Sequence, residues 1–174
     1  MWHIRKDYVL ERLVIVSPNE KKITNSKKCP YCPGNESMTN PSLLSLVARG
    51  GMLQRLQDGE DDYIQNWTVR VFESTIPAVS TSTENSYTER PLYSEPAYGY
   101  HYVVVVSPKH EDTLASIDIE QWSNVLVVIQ DRLRWLYTQR GVTYVSIFVN
   151  HGQEAGSDIN HPHVNMVSFS NIPP

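Results

Sequence analysis

The sequence is poor in cysteine, in long apolar runs and in positive charge. Its 174 residues include two cysteines, whereas a secreted disulfide scaffold of this size usually carries more, at wider spacing. The longest unbroken apolar runs, such as 102–106 and 125–129, span five residues, and a membrane-spanning helix needs about 20. With 15 Lys and Arg against 19 Asp and Glu, the net charge of −4 disfavours binding of duplex DNA through its phosphates. These shortages predict a protein that binds neither membranes nor nucleic acid.

Length and composition are typical of one globular domain. Hydrophobic residues make up 40% of the chain and charged residues 20%, which is enough for a packed core. The length suits a single domain over residues 1–174, and no repeat with a solenoid period is present. The N-terminal segment has no apolar stretch after its first charges, so we expect no secretory signal and a cytoplasmic location.

Residues 118–140 have the periodicity of an amphipathic helix. Asp118 is expected to cap its N-terminus with Gln121 as the reciprocal partner, and Gly141 is expected to end it. Apolar side chains recur at spacings of three and four, which predicts one core-facing stripe. Its members are Ile119, Trp122, Leu126, Ile129, Leu133 and Leu136.

Five runs rich in Val, Ile, Tyr and Phe predict strands, namely 8–16, 67–72, 100–106, 144–150 and 163–169. A weaker helix is predicted over 42–56, interrupted at Gly50 and Gly51, and 73–97 is predicted as loop. The long helix falls between the third and fourth strands. The expected fold is therefore α+β, a mainly antiparallel sheet with one long helix across a face.

The two cysteines form the tetrapeptide Cys-Pro-Tyr-Cys, which has two functional interpretations. It resembles half of a zinc site, and it matches the redox-active tetrapeptide of glutaredoxins. Pro33 and Gly34 follow Cys32 and would break the helix that a glutaredoxin begins there, so zinc ranks above redox chemistry, and both rank above buried structural cysteines. Spacing alone does not choose the remaining ligands among the histidines, which are His3, His101, His110, His151, His161 and His163.

A His-Pro-His sequence begins the last predicted strand. Because side chains alternate along a strand, one face carries His161, His163, Asn165 and Val167. Upstream, residues 150–158 are rich in glycine and short polar residues, whose backbone N–H groups could approach a phosphate.

In this order, the motifs resemble the N-terminal half of the galactose-1-phosphate uridylyltransferase family, in the histidine-triad superfamily. The resemblance covers nearly the whole chain, and five segments in the order of the family make it specific. They are R-L-V-I-V-S-P at 12–18, C-P-Y-C-P-G-N-E at 29–36, R-V-F-E-S-T-I-P-A at 70–78, G-Y-H-Y-V-V-V-V-S-P-K-H at 99–110, and F-V-N-H-G at 148–152, continuing to H-P-H at 161–163.

The resemblance implies a histidine-triad-like fold, a metal site and a nucleophile. One structural zinc ion per chain would be bound by Cys29, Cys32, His110 and His161. His163 would attack the α-phosphorus of a UDP-hexose and pass the uridylyl group to a hexose 1-phosphate. The partners implied are thus a nucleotide sugar and a sugar phosphate. The resemblance also implies nucleotide- or phosphate-binding residues at Tyr31, Ser74, Thr75, Asn150, Gly156, Ser157 and Asp158.

Two departures from the family pattern bear on the reaction. Asn165 stands where the family usually has a glutamine that donates to the phosphoryl group, and where hydrolytic relatives have histidine. Because an amide cannot supply a proton to a leaving group, Asn165 favours transfer over hydrolysis. Asp158 stands where a serine is common, and a carboxylate beside a phosphate is unfavourable unless it is turned away or protonated.

The sequence leaves two alternative functions open and also predicts an oligomeric state. The chain could be a related adenylyl-sugar phosphorylase, because the base specificity depends on the shape of the pocket. It could also be a zinc-stabilised nucleotide-binding protein with reduced catalysis, because of Asp158 and Asn165. Family members continue into a second homologous half, so we expect a symmetric homodimer in which a partner replaces part of it.

Overall fold

The computed structural model describes residues 2–16, 28–60, 62–82, 88, 92–157 and 159–172. A six-stranded antiparallel sheet in the order β4-β3-β5-β7-β9-β8 dominates the fold. Its strands are β3 (Ser42–Arg49), β4 (Met52–Leu56), β5 (Trp67–Glu73), β7 (His101–Val105), β8 (Tyr144–Phe148) and β9 (His163–Phe169). A three-stranded sheet in the order β2-β1-β6 is built from β1 (His3–Asp7), β2 (Arg12–Val16) and β6 (Ser94–Pro96).

The helix α1 (Ile119–Thr138) connects β7 to β8 and packs on one face of the larger sheet. The predicted α+β fold, with a mainly antiparallel sheet and a helix across it, is therefore confirmed, as are the strands predicted at 67–72, 100–106, 144–150 and 163–169 to within two residues at each end. Within the described ranges, none of the helices has the length and apolar character that crossing a bilayer requires.

The predicted core stripe of α1 is wrong at two positions. Ile119 is 89% exposed and Leu126 is 59% exposed, whereas Val125, Val128 and Ile129 are buried against the sheet. The apolar run 125–129 covers more than one side of the helix, so spacing did not identify the buried side.

The N-terminal cap of α1 is only partly as predicted. The carboxylate of Asp118 accepts a hydrogen bond from the backbone N–H of Gln121 over 2.7 Å. Oε1 of Gln121 accepts no hydrogen bond from the backbone N–H of Asp118 in the described part of the chain, and its Nε2 donates to the carbonyl oxygens of Thr68 and Val106. Gln121 therefore connects the first turn of the helix to the start of β5 and the end of β7, and it does not complete a capping box.

The prediction of a helix over 42–56 is wrong, because this segment is the β3–β4 hairpin. Arg49 pairs with Met52, which leaves Gly50 and Gly51 as a two-residue loop. Both glycines have positive φ, 58° and 78°, as the tight turns that match the strand twist require. The inner residues of β3 are buried on both faces, so the strand has no polar alternation that would have distinguished it from a helix.

The single strand predicted over 8–16 is only partly correct, because residues 8–11 form the turn between β1 and β2, and only 12–16 belong to a strand. The Asp7 carboxylate accepts hydrogen bonds from the backbone N–H groups of Val9 and Leu10, and Glu11 adopts a φ of 51°. The segment 73–97, predicted as loop, contributes the short strand β6 to the same sheet.

The face of the six-stranded sheet opposite α1 carries a second apolar cluster. Val103 and Val105 of β7 and Phe72 of β5 form its floor, and Tyr31 packs over them. Because side chains alternate along a strand, His163 and Asn165 of β9 also project from this face, beside Val105 and Val103 in the strand register. This face therefore holds the residues predicted to do chemistry.

Candidate active site and metal centre

The Cys-Pro-Tyr-Cys segment folds as a tight knuckle. The backbone N–H of Cys32 donates to the carbonyl oxygen of Cys29, and the side-chain amide of Asn35 donates to the same oxygen over 2.9 Å. Gly34 has a φ of 88°, which few other residues tolerate. The chain therefore reverses sharply after Cys32 and continues into a single 3-10 turn at Glu36–Met38, whereas a glutaredoxin begins an α-helix there.

A buried glutamate, Glu36, anchors the knuckle to the sheet. One carboxylate oxygen accepts from the backbone N–H of Gly34 over 2.9 Å, and the other accepts from the indole Nε1 of Trp67 over 3.0 Å. Glu36 is 4% exposed and Trp67 is 2% exposed. Since the indole belongs to β5, this bridge fixes the position of the knuckle above the sheet.

Four side chains that could hold a metal ion converge beside the knuckle. The ligand atoms of Cys29, Cys32, His110 and His161 all lie within 4.8 Å of one another. The Nδ1 atom of His161 lies 3.6 Å from the sulfur atom of each cysteine and 3.4 Å from the Nδ1 atom of His110. The Nδ1 atom of His110 lies 3.4 Å from the sulfur atom of Cys32. The two cysteines are free thiols and form no disulfide. The structure thus assembles the donor set that the sequence resemblance implies.

The tautomer of His161 suits a metal ligand. Its Nε2 lies 2.8 Å from the carbonyl oxygen of Ser107, and a carbonyl only accepts, so the proton is on Nε2 and the lone pair is on Nδ1. Burial lowers the pKa of His161, and the nearby His110 and His163 lower it further. His161 is therefore neutral near pH 7, as metal binding requires.

Without a nearby cation, the side chain of Cys32 favours the protonated thiol over the thiolate. Burial raises its pKa to about 11, with a further contribution from the neighbouring Cys29 thiol. A bound metal ion would reverse this preference, because it stabilises the thiolate directly.

His163 is held in the opposite tautomer. Its Nδ1 lies 2.7 Å from the carbonyl oxygen of His161, which accepts the Nδ1–H bond and leaves the lone pair on Nε2. The imidazole is 8% exposed, and the ring of Tyr31 packs edge-on against it with centroids 5.2 Å apart. In the neutral ring, Nε2 of His163 is therefore the nucleophilic nitrogen, and the ring orientation is set by these two contacts.

A cleft with a volume of about 700 Å³ opens over this face of the sheet, within the usual range for small-molecule sites. His163 and Asn165 line it, together with most of the residues predicted to bind the nucleotide or its phosphates. These are Tyr31, Ser74, Thr75, Asn150, Gly156 and Ser157. Asp158 lies outside the described residues.

The predicted phosphate loop, residues 150–157, contains a short 3-10 helix at Gln153–Ala155 flanked by Gly152 and Gly156. The backbone N–H groups of Gly156 and Ser157 donate within the loop, to the carbonyl oxygens of Gln153 and Gly152. The hydroxyl of Ser157 donates to the carbonyl oxygen of Ile159. These donors therefore shape the loop itself.

Several residues that sequence reasoning did not single out take part in the site. Lys28 is the only lysine or arginine among the described residues that line the cleft. His101 lines the cleft and contacts Asn165, while Ser107 orients His161. The signal for Ser107 was its place in the Ser-Pro-Lys-His segment, whereas nothing in the sequence marked His101 beyond being one of six histidines.

Comparison with known proteins agrees with this architecture. Residues 54–173 match the family described as galactose-1-phosphate uridyl transferase, N-terminal domain. An ADP-glucose phosphorylase of Arabidopsis thaliana is 28% identical over 187 residues, covering 98% of this chain and 49% of the relative. A galactose-1-phosphate uridylyltransferase of Thermotoga maritima is 26% identical over 178 residues, covering 99% and 48%.

A solved uridylyltransferase structure shares the fold, with a TM-score of 0.74 at 23% identity, over 99% of this chain and 47% of the other. The chain spans about half the length of the curated relatives it matches. Since the family match covers more than half of the chain, and the fold and the cysteine–histidine cluster accompany it, the chain belongs to the galactose-1-phosphate uridyl transferase family and corresponds to its N-terminal domain.

Proposed function

We propose that this chain is the nucleophile-bearing part of a nucleotidyltransferase, which transfers a uridylyl group from a UDP-hexose to a hexose 1-phosphate through a covalent adduct on His163. The observation that carries the proposal is the tautomer of His163. Its Nδ1–H bond to the carbonyl oxygen of His161 places the lone pair of the neutral ring on Nε2, in a residue that lines the cleft. We also propose that residues 1–174 form a single domain.

The reaction then has two balanced steps. Nε2 of His163 attacks the α-phosphorus, an N–P bond forms, and the P–O bond to the β-phosphate breaks to release a hexose 1-phosphate. In the second step a phosphate oxygen of the acceptor attacks the same phosphorus, the N–P bond breaks, and a new UDP-hexose forms. The Nδ1–H bond to the His161 carbonyl stabilises the positive charge that develops on the ring when Nε2 is phosphorylated.

The leaving group and the acceptor are both phosphate oxyanions, so neither step needs a strong general acid. Asn165 suits this requirement, because its amide donates hydrogen bonds but no proton. It lies two residues after His163 on the same face of β9 and lines the same cleft. We assign it the stabilisation of the phosphoryl oxygens.

We propose that the Cys29–Cys32–His110–His161 cluster holds one structural zinc ion. Bond lengths of about 2.3 Å to sulfur and about 2.05 Å to nitrogen in a tetrahedron place nitrogen atoms about 3.3 Å apart, and nitrogen and sulfur about 3.6 Å apart. The nitrogen atoms of His110 and His161 are 3.4 Å apart, and three of the four nitrogen–sulfur separations are 3.4–3.6 Å. The remaining pairs of ligand atoms lie within 4.8 Å. The set has four protein ligands, as structural zinc sites do, and its role is to position the knuckle and the His-Pro-His segment.

A related adenylyl-sugar phosphorylase is the second candidate, favoured by the 28% identity to the ADP-glucose phosphorylase of Arabidopsis thaliana. Its first step would be the same attack by His163 on an α-phosphorus, with inorganic phosphate as the acceptor in the second step. The two candidates therefore differ in the nucleotide base and in the acceptor and share the nucleophile.

The test is to mix the protein with UDP-glucose, UDP-galactose or ADP-glucose without an acceptor, and to measure the intact mass. We expect an adduct of one nucleotidyl group on His163, its absence in His163→Gly, and its discharge by galactose 1-phosphate or by inorganic phosphate. An adduct that survives in His163→Gly would refute the nucleophile. No adduct from any of the three, with nucleotide binding retained, would favour the nucleotide-binding alternative.

We further propose a symmetric homodimer and a reducing compartment such as the cytoplasm. Strand β8 is the last strand of the larger sheet, and Ile147 and Phe148 on it are 40% and 38% exposed. Among the described strands none pairs with its outer edge, and Phe148 lines the cleft. The metal-binding thiols must stay reduced, which fits the cytoplasm. Sedimentation equilibrium at micromolar concentration tests the dimer, and a monomer would contradict it.

A further inference from the structure

We propose that His101 is a positioning residue that fixes the orientation of the Asn165 side chain, so that its amide N–H groups face the cleft. The inference rests on the proposed function for its catalytic consequence. Its structural part concerns the hydrogen bonds around His101 and is independent of any reaction.

The protonation of His101 is determined by a backbone group. The N–H of Ala78 points at Nδ1 of His101 over 3.1 Å, and a backbone N–H can only donate. Nδ1 must therefore carry the lone pair, and in the neutral ring the proton is on Nε2. A single backbone donor thus selects the tautomer of the imidazole.

This tautomer in turn orients the amide of Asn165. Nε2 of His101 lies 3.1 Å from Oδ1 of Asn165, so the Nε2–H group donates to the amide oxygen. If the amide of Asn165 were flipped, its Nδ2 would face Nε2–H of His101. Both groups are donors, so no hydrogen bond could form between them. Because the amide group is planar, holding its oxygen at His101 turns Nδ2 and its two donors to the other side.

The strand register explains why the two residues meet. Val103 of β7 pairs with Asn165 of β9, and His101 pairs with Val167, so His101 and Asn165 are diagonal neighbours on one face of the sheet. Both line the cleft, and Asn165 is 9% exposed. The Asn165 amide is buried on β9, which lies between β7 and β8 in the sheet, and its oxygen already accepts from His101. Its N–H groups are therefore oriented in advance to donate.

This orientation matters because a phosphoryl oxygen is an acceptor only. If Asn165 were free to rotate, its carbonyl oxygen would face the phosphoryl oxygens in part of the molecules and repel them. Donors that are aligned in advance contribute to the transition state without reorganisation. His101 would then act on the rate of adduct formation through Asn165, and only slightly on nucleotide affinity.

The structural part is tested by ¹⁵N NMR of the full chain labelled at histidine, near pH 7.5. We expect His101 as the Nε2–H tautomer, with a hydrogen-bond coupling or a slowly exchanging proton on Nε2. A His101 ring in the Nδ1–H tautomer would overturn the proposal. This result does not depend on whether the protein reacts with any nucleotide sugar, so it separates a failure of this inference from a failure of the proposed function.

The catalytic part is tested by single-turnover adduct formation with the nucleotide sugar that labels His163. His101→Phe keeps the ring volume without the donor, and we expect a loss of tenfold or more in rate with less than a threefold change in nucleotide affinity. His101→Gln keeps a donor that can reach Asn165, and we expect it to recover most of the rate.

A double-mutant cycle with Asn165→Ala decides between positioning and a general structural effect. In the Asn165→Ala background, His101→Phe should lower the rate by less than twofold, because the group that it orients is absent. An undiminished tenfold loss in that background, or no recovery in His101→Gln, would refute the positioning role.

Discussion

The carbonyl oxygen of His161 accepts the Nδ1–H bond of His163 over 2.7 Å, while the ring of His161 belongs to the metal-binding cluster. One residue therefore serves both parts of the site, with its side chain directed to the metal ligands and its backbone to the nucleophile. Pro162 between them fixes the backbone, so a shift of the metal cluster displaces His163 as well.

The first prediction concerns the metal ligands. Protein purified without added metal should contain close to one zinc ion per chain by elemental analysis. His110→Ala should reduce this content severely and lower the melting temperature by several degrees, because metal binding contributes to folding. The matched control is His151→Ala, which removes a nearby exposed histidine outside the cluster. Equal zinc content in the two variants would contradict the assignment.

The second prediction concerns the bridge through Glu36. Glu36→Ala leaves the buried indole N–H of Trp67 and the backbone N–H of Gly34 without their acceptor, at a cost of about 2 kcal/mol. Because the knuckle loses its anchor, zinc should also transfer faster to a chromogenic chelator. The exposed neighbour Ser37 provides the control, and Ser37→Ala should change neither quantity. Unchanged chelator kinetics in Glu36→Ala would show that the bridge does not hold the metal site.

The third prediction concerns the buried ion pair between Arg70 and Asp58, whose closest atoms are 2.9 Å apart. Burial acts to raise the pKa of Asp58, but hydrogen bonds from the backbone N–H groups of Ser42 and Ile64 and from Arg70 outweigh it, so the pKa lies below the usual 3.8. A lowered folded-state pKa stabilises the protein above about pH 4, and this contribution is lost as the pH falls through the folded value.

Asp58→Asn should therefore cost about 3 kcal/mol at pH 7, because it leaves the buried guanidinium without its counter-charge. The variant should also lose less stability than the wild type between pH 5 and pH 3. Chemical denaturation across this range measures both effects. Asp131→Asn, which breaks partly exposed pairs with Arg55 and Arg132, should cost less than about 1 kcal/mol at any of these pH values. Parallel acid profiles for wild type and Asp58→Asn would contradict the prediction.

The fourth prediction concerns Gly99, which precedes β7 and lies against β9. A Cβ atom at this position would overlap the carbonyl oxygen of Ser168, a backbone atom that cannot move aside cheaply. Gly99→Ala should therefore cost about 3 kcal/mol or more in the free energy of unfolding. Gly59→Ala is the control, since its nearest neighbour would be 3.6 Å away, and it should stay within about 0.5 kcal/mol. Similar denaturation midpoints for the two variants would contradict this.

Local sequence was informative where a residue type has one strong conformational use. Asp118 caps α1 as predicted, and the residues after Cys32 turn the chain instead of starting a helix. The same reasoning failed at 42–56, because β3 is buried on both faces and the spacing of its leucines resembles the apolar stripe of a helix. The Gly50–Gly51 pair was the available signal, since adjacent glycines are typical of a two-residue hairpin loop.

The sequence by itself determined which reactive groups the site contains. These are two thiols in a Cys-Pro-Tyr-Cys segment, a His-Pro-His segment at the start of a strand, and an amide two residues after it. These depend on residue type and short spacing, which the chain carries directly. Only the tertiary structure decided which side chains meet, because His110 from the turn after β7 lies 3.4 Å from His161 on the approach to β9, and His101 of β7 contacts Asn165 of β9. The tautomers of His101, His161 and His163 depend on the backbone groups of Ala78, Ser107 and His161, which lie within 3.1 Å of the ring nitrogen atoms. The first two of these contacts join residues far apart along the chain, and no local pattern encodes them.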